Sequence, residues 1–360
     1  MRQPRSSGSR LRPRPVGLVL ALGLLASVSG PLAQAAPAPG TIERVSVATG
    51  GAERNQLPTG STTSCAPGTA TSGNCSHRSI SEDGLKVVFT SRAPNLVDGD
   101  NNNSADVFLA ELAPGPTLTS LKRVSVASGG GPEGNADSES ATISPDGQWV
   151  AFESKASNLG SDADPIPDVF VYRVQDGALF LATPKRVATG APGNSFFPSV
   201  ADTGAVAYTS YSTWLAPGGN GGYQQVFVTK NPTSATDPQI EMVSVSTDPA
   251  TPGPGAGAPS KEASIDALGT KVAFNTGAKN IGPSEGINVG ATDDVAVRNV
   301  QSQQTVRLTT GAKTITPAIS PDGNKVTFAA EGPIGADNDG RKDVYVVNSD
   351  GSGGIQLIST

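Results

Sequence analysis

Three short stretches of this chain carry alternating carboxylates: Asp98-Gly99-Asp100-Asn101-Asn102-Asn103-Ser104-Ala105-Asp106, Asp162-Ala163-Asp164-Pro165-Ile166-Pro167-Asp168 and Asp337-Asn338-Asp339-Gly340-Arg341-Lys342-Asp343. Several hard oxygen ligands within one tight loop are what Ca²⁺ takes. Asp98, Asp100, Asp106, Asp162, Asp164, Asp168, Asp337, Asp339 and Asp343 are therefore candidate ligands, and Ca²⁺ is the one cofactor the sequence suggests. All three loops lack the glutamate that closes the full calcium-loop signature. A second reading stands beside the first. The early Asp and Asn residues cap turns through bonds to the backbone, and the last Asp pairs with an arginine further along, such as Arg123, Arg186 or Arg307.

Other chemistry is thinly represented. His77 is the only histidine, so one chain cannot assemble a multi-histidine metal centre. Gly282-Pro283-Ser284-Glu285-Gly286 matches the G-x-S-x-G string of serine hydrolases. A nucleophile elbow joins a strand to a helix, and no helical pattern follows here. The sequence thus nominates no catalytic residue, although its many Asp residues leave a carboxylate-pair hydrolase open. Tyr211, Trp214 and Tyr223 bracket a glycine-rich stretch that lacks the acids of its counterparts. They are candidate ligand contacts through stacking, or else local packing that orders the glycines.

Residues 1–35 read as a secretory signal peptide: five arginines without an acid, the apolar run Val16–Val28, then Ala33-Gln34-Ala35. The run is short of the roughly 20 apolar residues a membrane span needs, so the mature chain, 36–360, is expected to be exported, secreted or periplasmic, and free of the membrane. Removing five of 26 basic residues and none of 32 acidic ones leaves 21 − 32 = −11. Such a surface repels phosphate backbones and argues against nucleic acid as a partner. Cys65 and Cys75, nine residues apart, are expected to pair after export.

The elements that would position these residues come from a repeat. Five turns recur: Ser81-Glu82-Asp83-Gly84, Ser144-Pro145-Asp146-Gly147, Ala201-Asp202-Thr203-Gly204, Asp266-Ala267-Leu268-Gly269 and Ser320-Pro321-Asp322-Gly323. Each is followed by an alternating stretch ending in an aromatic (Val87-Val88-Phe89, Val150-Ala151-Phe152, Val206-Ala207-Tyr208, Val272-Ala273-Phe274, Val326-Thr327-Phe328). A third strand opens at Asp106, Asp168, Gln225, Asp294 or Asp343, and a fourth follows at Arg123–Val126, Arg186–Ala188, Met242–Val245, Arg307–Thr309 or Gln356–Ser359. Period-two alternation and β-branched or aromatic residues mark strands. Units of four short antiparallel strands must stack to cover their faces. The expectation is an all-β propeller of four-stranded antiparallel blades, with units near 76–127, 138–190, 195–246, 260–310 and 314–360. Five blades fit best. An extra fourth-strand copy, Arg44-Val45-Ser46-Val47, either locks the last blade or belongs to a degenerate sixth.

Ser-Pro-Asp-Gly, then Val-x-Phe, then Asp-Val-Phe or Asp-Val-Tyr resembles the WD40-like repeat of TolB-type propellers across residues 41–360. The third and fourth units lack the Asp-Gly turn. The resemblance implies an innermost first strand, with the Asp-Gly turns at one end and the longer strand-two-to-three loops at the other. It also implies mixed roles, from partner binding in the cell envelope to docking domains of peptidases. The expected function is a monomeric, non-enzymatic module that binds a protein or cell-envelope ligand on those longer loops. A secreted hydrolase or lyase using carboxylates at the central channel is the alternative.

Overall fold

The computed structural model describes residues 78–359 except 116, 161–164, 185–190, 216–220, 235–236, 248–257, 283–292, 312, 332–333 and 335–340. The signal segment, the Arg44–Val47 copy, Cys65, Cys75, His77, Asp162, Asp164, Arg186, Ser284, Asp337 and Asp339 lie outside the described residues. All blades fall in the second of two compact units, Pro37–Thr360.

Nineteen strands form five antiparallel sheets, and the described residues contain no helix. Blade one is β1 (Lys86–Ser91), β2 (Asp106–Ala113) and β3 (Thr117–Arg123), with Ile80 bridging Val87 as a rudimentary inner strand. Blade two runs β4 (Ser138–Ile143), β5 (Trp149–Ser154), β6 (Asp168–Arg173), β7 (Ala178–Leu181). Blade three is β8 (Ser195–Val200), β9 (Val206–Ser210), β10 (Gln225–Thr229), β11 (Ile240–Met242). Blade four is β12 (Ser260–Ile265), β13 (Lys271–Thr276), β14 (Asp294–Asn299), β15 (Gln304–Arg307). Blade five is β16 (Lys313–Ile319), β17 (Lys325–Glu331), β18 (Lys342–Asn348), β19 (Gln356–Leu357). The order is the five-bladed propeller expected from the repeat. The fourth strand of blade two differs: it is Ala178–Leu181, upstream of Arg186–Ala188, because Asp176-Gly177, with Gly177 at φ 69°, turns the chain back early.

Blades two to five each pack their inner strand on the sheet before it. Ala141 and Ile143 of blade two, for example, share a core with Val88, Val107, Leu109 and Val124 of blade one. Aromatics pair across the second and third strands in four blades, as Phe89–Phe108, Phe152–Phe170, Tyr208–Phe227 and Phe328–Tyr345, with centroids 5.6–6.1 Å apart. The Asp-Gly turns link neighbours at one end. Glu82 N donates to Pro145 O at 2.7 Å, Asp146 N to Asp202 Oδ1 at 2.9 Å, Asp202 N to Ala267 O at 2.9 Å and Ala267 N to Pro321 O at 2.9 Å.

The first and last blades carry bare faces. Val344 is 42% exposed, whereas Val107, Val169, Val226 and Val295 at the same repeat position are fully buried by the next blade. Ile80 is 48% exposed where Ile143, Val200, Ile265 and Ile319 are buried. Val344→Thr should therefore shift stability by less than about 0.5 kcal/mol. Val169→Thr, which buries a hydroxyl, should cost about 1–3 kcal/mol in denaturant titration.

Candidate functional site

The end opposite the Asp-Gly turns holds a cavity of 670 Å³ lined by Glu153, Lys155, Phe196, Phe197, Tyr211 and Glu262, with Lys261 and Ile315 beside them. Glu153 and Lys155 come from the end of β5 and Tyr211 follows β9, while Phe196, Phe197, Lys261, Glu262 and Ile315 come from inner strands that are bulged. Register slips between Glu139 and Thr142, Phe196 and Ser199, Lys261 and Ser264, and Ile315 and Ala318. At each slip a non-glycine residue takes a left-handed conformation: Ser140 (φ 53°), Phe197 (54°), Glu262 (61°) and Thr316 (51°). Such backbone costs about 1–3 kcal/mol per residue and clusters at functional sites, and a bulge re-aims the side chains around it.

Two carboxylates hold the bulges of following blades. Glu153 accepts from Ser140 Oγ at 2.9 Å and from Phe197 N at 3.3 Å. Burial pushes its carboxyl up to about 7; these hydrogen bonds oppose the shift, Glu139 on the facing strand adds to it and Lys155 opposes it. Glu262, 5% exposed, accepts from Thr316 N at 2.6 Å and from the Asn275 amide, and burial raises its carboxyl as well. Lys261 Nζ lies 2.9 Å from Asp293. Phe196 meets Phe197 edge-on at 4.9 Å and Tyr211 at 5.8 Å.

Tyr211 lines this cavity at 49% exposure, and Tyr223, 40% exposed, is the neighbour of the lining residue Gln224. Trp214 is half-buried against the core of Tyr208, Leu215 and Phe227. Of the three candidate aromatics, two are thus open to solvent and one packs.

The aspartates that open the third strands have a common partner. Asp106 accepts from Ser125 Oγ at 2.5 Å, Asp168 from Thr183 at 2.5 Å, Asp294 from Thr309 at 3.3 Å and Asp343 from Ser359 at 2.7 Å. Gln225 takes the same place in blade three, 2.6 Å from Ser244. The hydroxyl in turn receives the next backbone N–H, from Val107, Val169, Val226, Val295 or Val344. This latch fastens the fourth strand to the third.

In the first loop Asp100 and Asp106 come together with Glu133, their oxygens within 4.8 Å of one another, while Asp98 is exposed. Arg123 Nη1 lies among them, 2.6 Å from Glu133, 3.4 Å from Asp100 and 3.6 Å from Asp106. Burial nevertheless raises Asp106 to about 6 and Asp100 above the usual carboxylate range. Arg307 sits likewise on Asp294, at 3.0 Å. In the first loop a guanidinium therefore stands among the carboxylates that the metal reading would give to Ca²⁺, whereas Asp294, the partner of Arg307, belongs to none of the three aspartate loops.

The bulges and the Glu133 contribution carry no local sequence signal. No Gly or Asn flags the left-handed positions, and Glu133 joins the first loop from the connection into blade two.

No family model and no curated protein matches the chain. Among solved structures it is similar to TolB from Acinetobacter baumannii (TM-score 0.43, 17% identity), covering 78% of this chain and 53% of that one. A putative TolB from Agrobacterium tumefaciens gives 0.43 and 16%, over 78% and 79% of the two chains. The β-propeller domain of the Trilobed protease from Pyrococcus furiosus gives 0.44 and 11%, over 78% and 68%. The chain spans about half the length of the first of these. The likeness is of fold, and the propeller assignment rests on the five sheets themselves.

Proposed function

We propose that the chain is an exported binding module whose working face is the bulged end of the propeller, with the 670 Å³ cavity as its ligand site. The observation that carries this reading is the convergence of three aromatics, Phe196, Phe197 and Tyr211, with the half-buried Glu153 and the buried Glu262 in one concave site on a rigid scaffold. Rigid sheets presenting variable positions at one end are a common basis of recognition. The partner is a protein segment or a cell-envelope ligand.

Binding is favoured over hydrolysis because the carboxylates are separately engaged. Glu153 and Glu262 each hold a backbone N–H of a following blade, and the one tight acidic group among the described residues encloses Arg123. Export is supported by the basic and apolar amino terminus, and no helix of the described residues is long and apolar enough to cross a membrane.

A thermal-shift screen against cell-wall sugars and short peptides tests the reading. Tyr211→Ala, at a half-exposed position, should leave the melting temperature unchanged. It should weaken any ligand found by about tenfold or more, the loss expected of a stacking aromatic. Ligands that bind equally well to parent and variant would place the site elsewhere.

A further inference from the structure

We propose that the cavity takes an organic cation: an ammonium or guanidinium group on an apolar stem, such as the basic side chain of a polypeptide. The proposal rests on the cavity being the binding site and adds the class of its ligand.

The charges lining the cavity favour that class. Glu153 receives hydrogen bonds from a hydroxyl and a backbone N–H, and Glu262 from a backbone N–H and an amide. Among the described residues neither carboxylate has an ion pair, unlike Asp293, which holds Lys261 at 2.9 Å. Of the two lysines at the cavity, Lys261 is thereby matched, and Lys155 is exposed. An anion entering the site would meet Glu153 and Glu262, with Glu139 acting on the first against Lys155, and Asp293 acting on the second against Lys261, whose ammonium is itself paired with Asp293. A carboxylate that is buried, as Glu262 is, or half-buried, as Glu153 is, and that has no direct ion pair gains from a ligand that supplies one.

The walls fit the rest of such a ligand. Phe196, Phe197 and Tyr211 offer ring faces and edges to an alkyl stem, and a cation over an aromatic face gains about 0.5–2 kcal/mol. Ile315 closes the side toward blade five. A small inorganic cation would leave these apolar walls unused.

Calorimetry on the full chain with three probes of matched size tests the class: N-acetyl-arginine amide, its neutral isostere N-acetyl-citrulline amide, and N-acetyl-glutamate amide. The arginine probe should bind at least about tenfold more tightly than citrulline, the difference a charge-assisted hydrogen bond makes. The glutamate probe should bind least. Glu153→Gln should cut the arginine preference with the folded chain intact, and Tyr211→Ala should weaken arginine and citrulline probes together. Citrulline binding as well as arginine, or glutamate binding best, would overturn the cationic class while leaving the cavity as a site. If none of the three binds, the cationic class is overturned as well. The sugar and peptide screen with Tyr211→Ala then decides separately whether the cavity is a site at all.

Discussion

Replacing Arg123 by alanine should destabilise the chain by about 3–5 kcal/mol, the cost of removing one partner from a buried ion pair. Its side chain is 9% exposed and lies among Asp100, Asp106 and Glu133, of which the first two are more deeply buried still. Nη2 also donates to Gly99 O at 3.0 Å, so the loop before β2 would lose its anchor. Denaturant titration of the variant against the parent measures the effect; a loss below about 1 kcal/mol would be that of a surface pair. The same variant frees three carboxylates whose oxygens lie within 4.8 Å of one another. Added Ca²⁺ should therefore raise the melting temperature of Arg123→Ala and leave that of the parent unchanged. A calcium-dependent rise in the parent would favour the metal reading of the aspartate loops over arginine pairing.

The second large effect is on pH. Glu153 is raised from 4.5 to about 7, chiefly by burial. A carboxyl whose folded pKa exceeds its unfolded one binds protons more tightly when folded. Its stabilising contribution is therefore complete below about pH 4.5 and lost as pH rises through 7. The loss amounts to about 3 kcal/mol. Glu139 on β4 adds to the shift; Lys155, Ser140 Oγ and the Phe197 N–H moderate it. Glu153→Gln keeps a carbonyl acceptor for Phe197 N and never ionises. It should match the parent near pH 4.5 and exceed it by about that amount at pH 8, measured by urea unfolding at both values. Equal differences at the two pH values would show that the surroundings of Glu153 do not raise its carboxyl. A residue that costs stability at neutral pH fits a site kept for recognition.

The sequence made the blades legible because their signals are local. The Asp-Gly turns need a left-handed residue, and Gly84, Gly147, Gly204, Gly269 and Gly323 all supply it, at φ 68–80°. The Val-x-Phe runs alternate with the period of a strand, and the aspartates at 106, 168, 294 and 343 mark the start of the third. The latch was half legible: the Asp was visible, but its Ser or Thr partner sits 15–19 residues on, beyond any local pattern. Arg123 does reach Asp106, at 3.6 Å, although Glu133 is its nearer partner at 2.6 Å, and Arg307 pairs with Asp294, outside the three aspartate loops. In blade two an early turn at Asp176-Gly177 moved the fourth strand upstream of Arg186.

The cavity was the least legible part. It forms only when β5, β8, β12 and β16, drawn from four blades, meet at one end, with the bulges at Phe197, Glu262 and Thr316 beside its lining residues and the bulge at Ser140 held by Glu153. Serine, phenylalanine, glutamate and threonine carry no propensity for that backbone, so tertiary packing imposes it. Tyr211 was singled out for its neighbourhood of glycines; its partners Phe196 and Phe197 lie on an inner strand that reads as core.

The account stands or falls on which end of the propeller binds. Hydrogen–deuterium exchange, with and without the most stabilising member of the sugar and peptide screen, decides it. The account predicts added protection at residues 194–197, 211–213 and 260–262, and none at the Asp-Gly turns 82–84, 146–148 and 322–324. Protection confined to those turns, with the bulged strands unchanged, would contradict it.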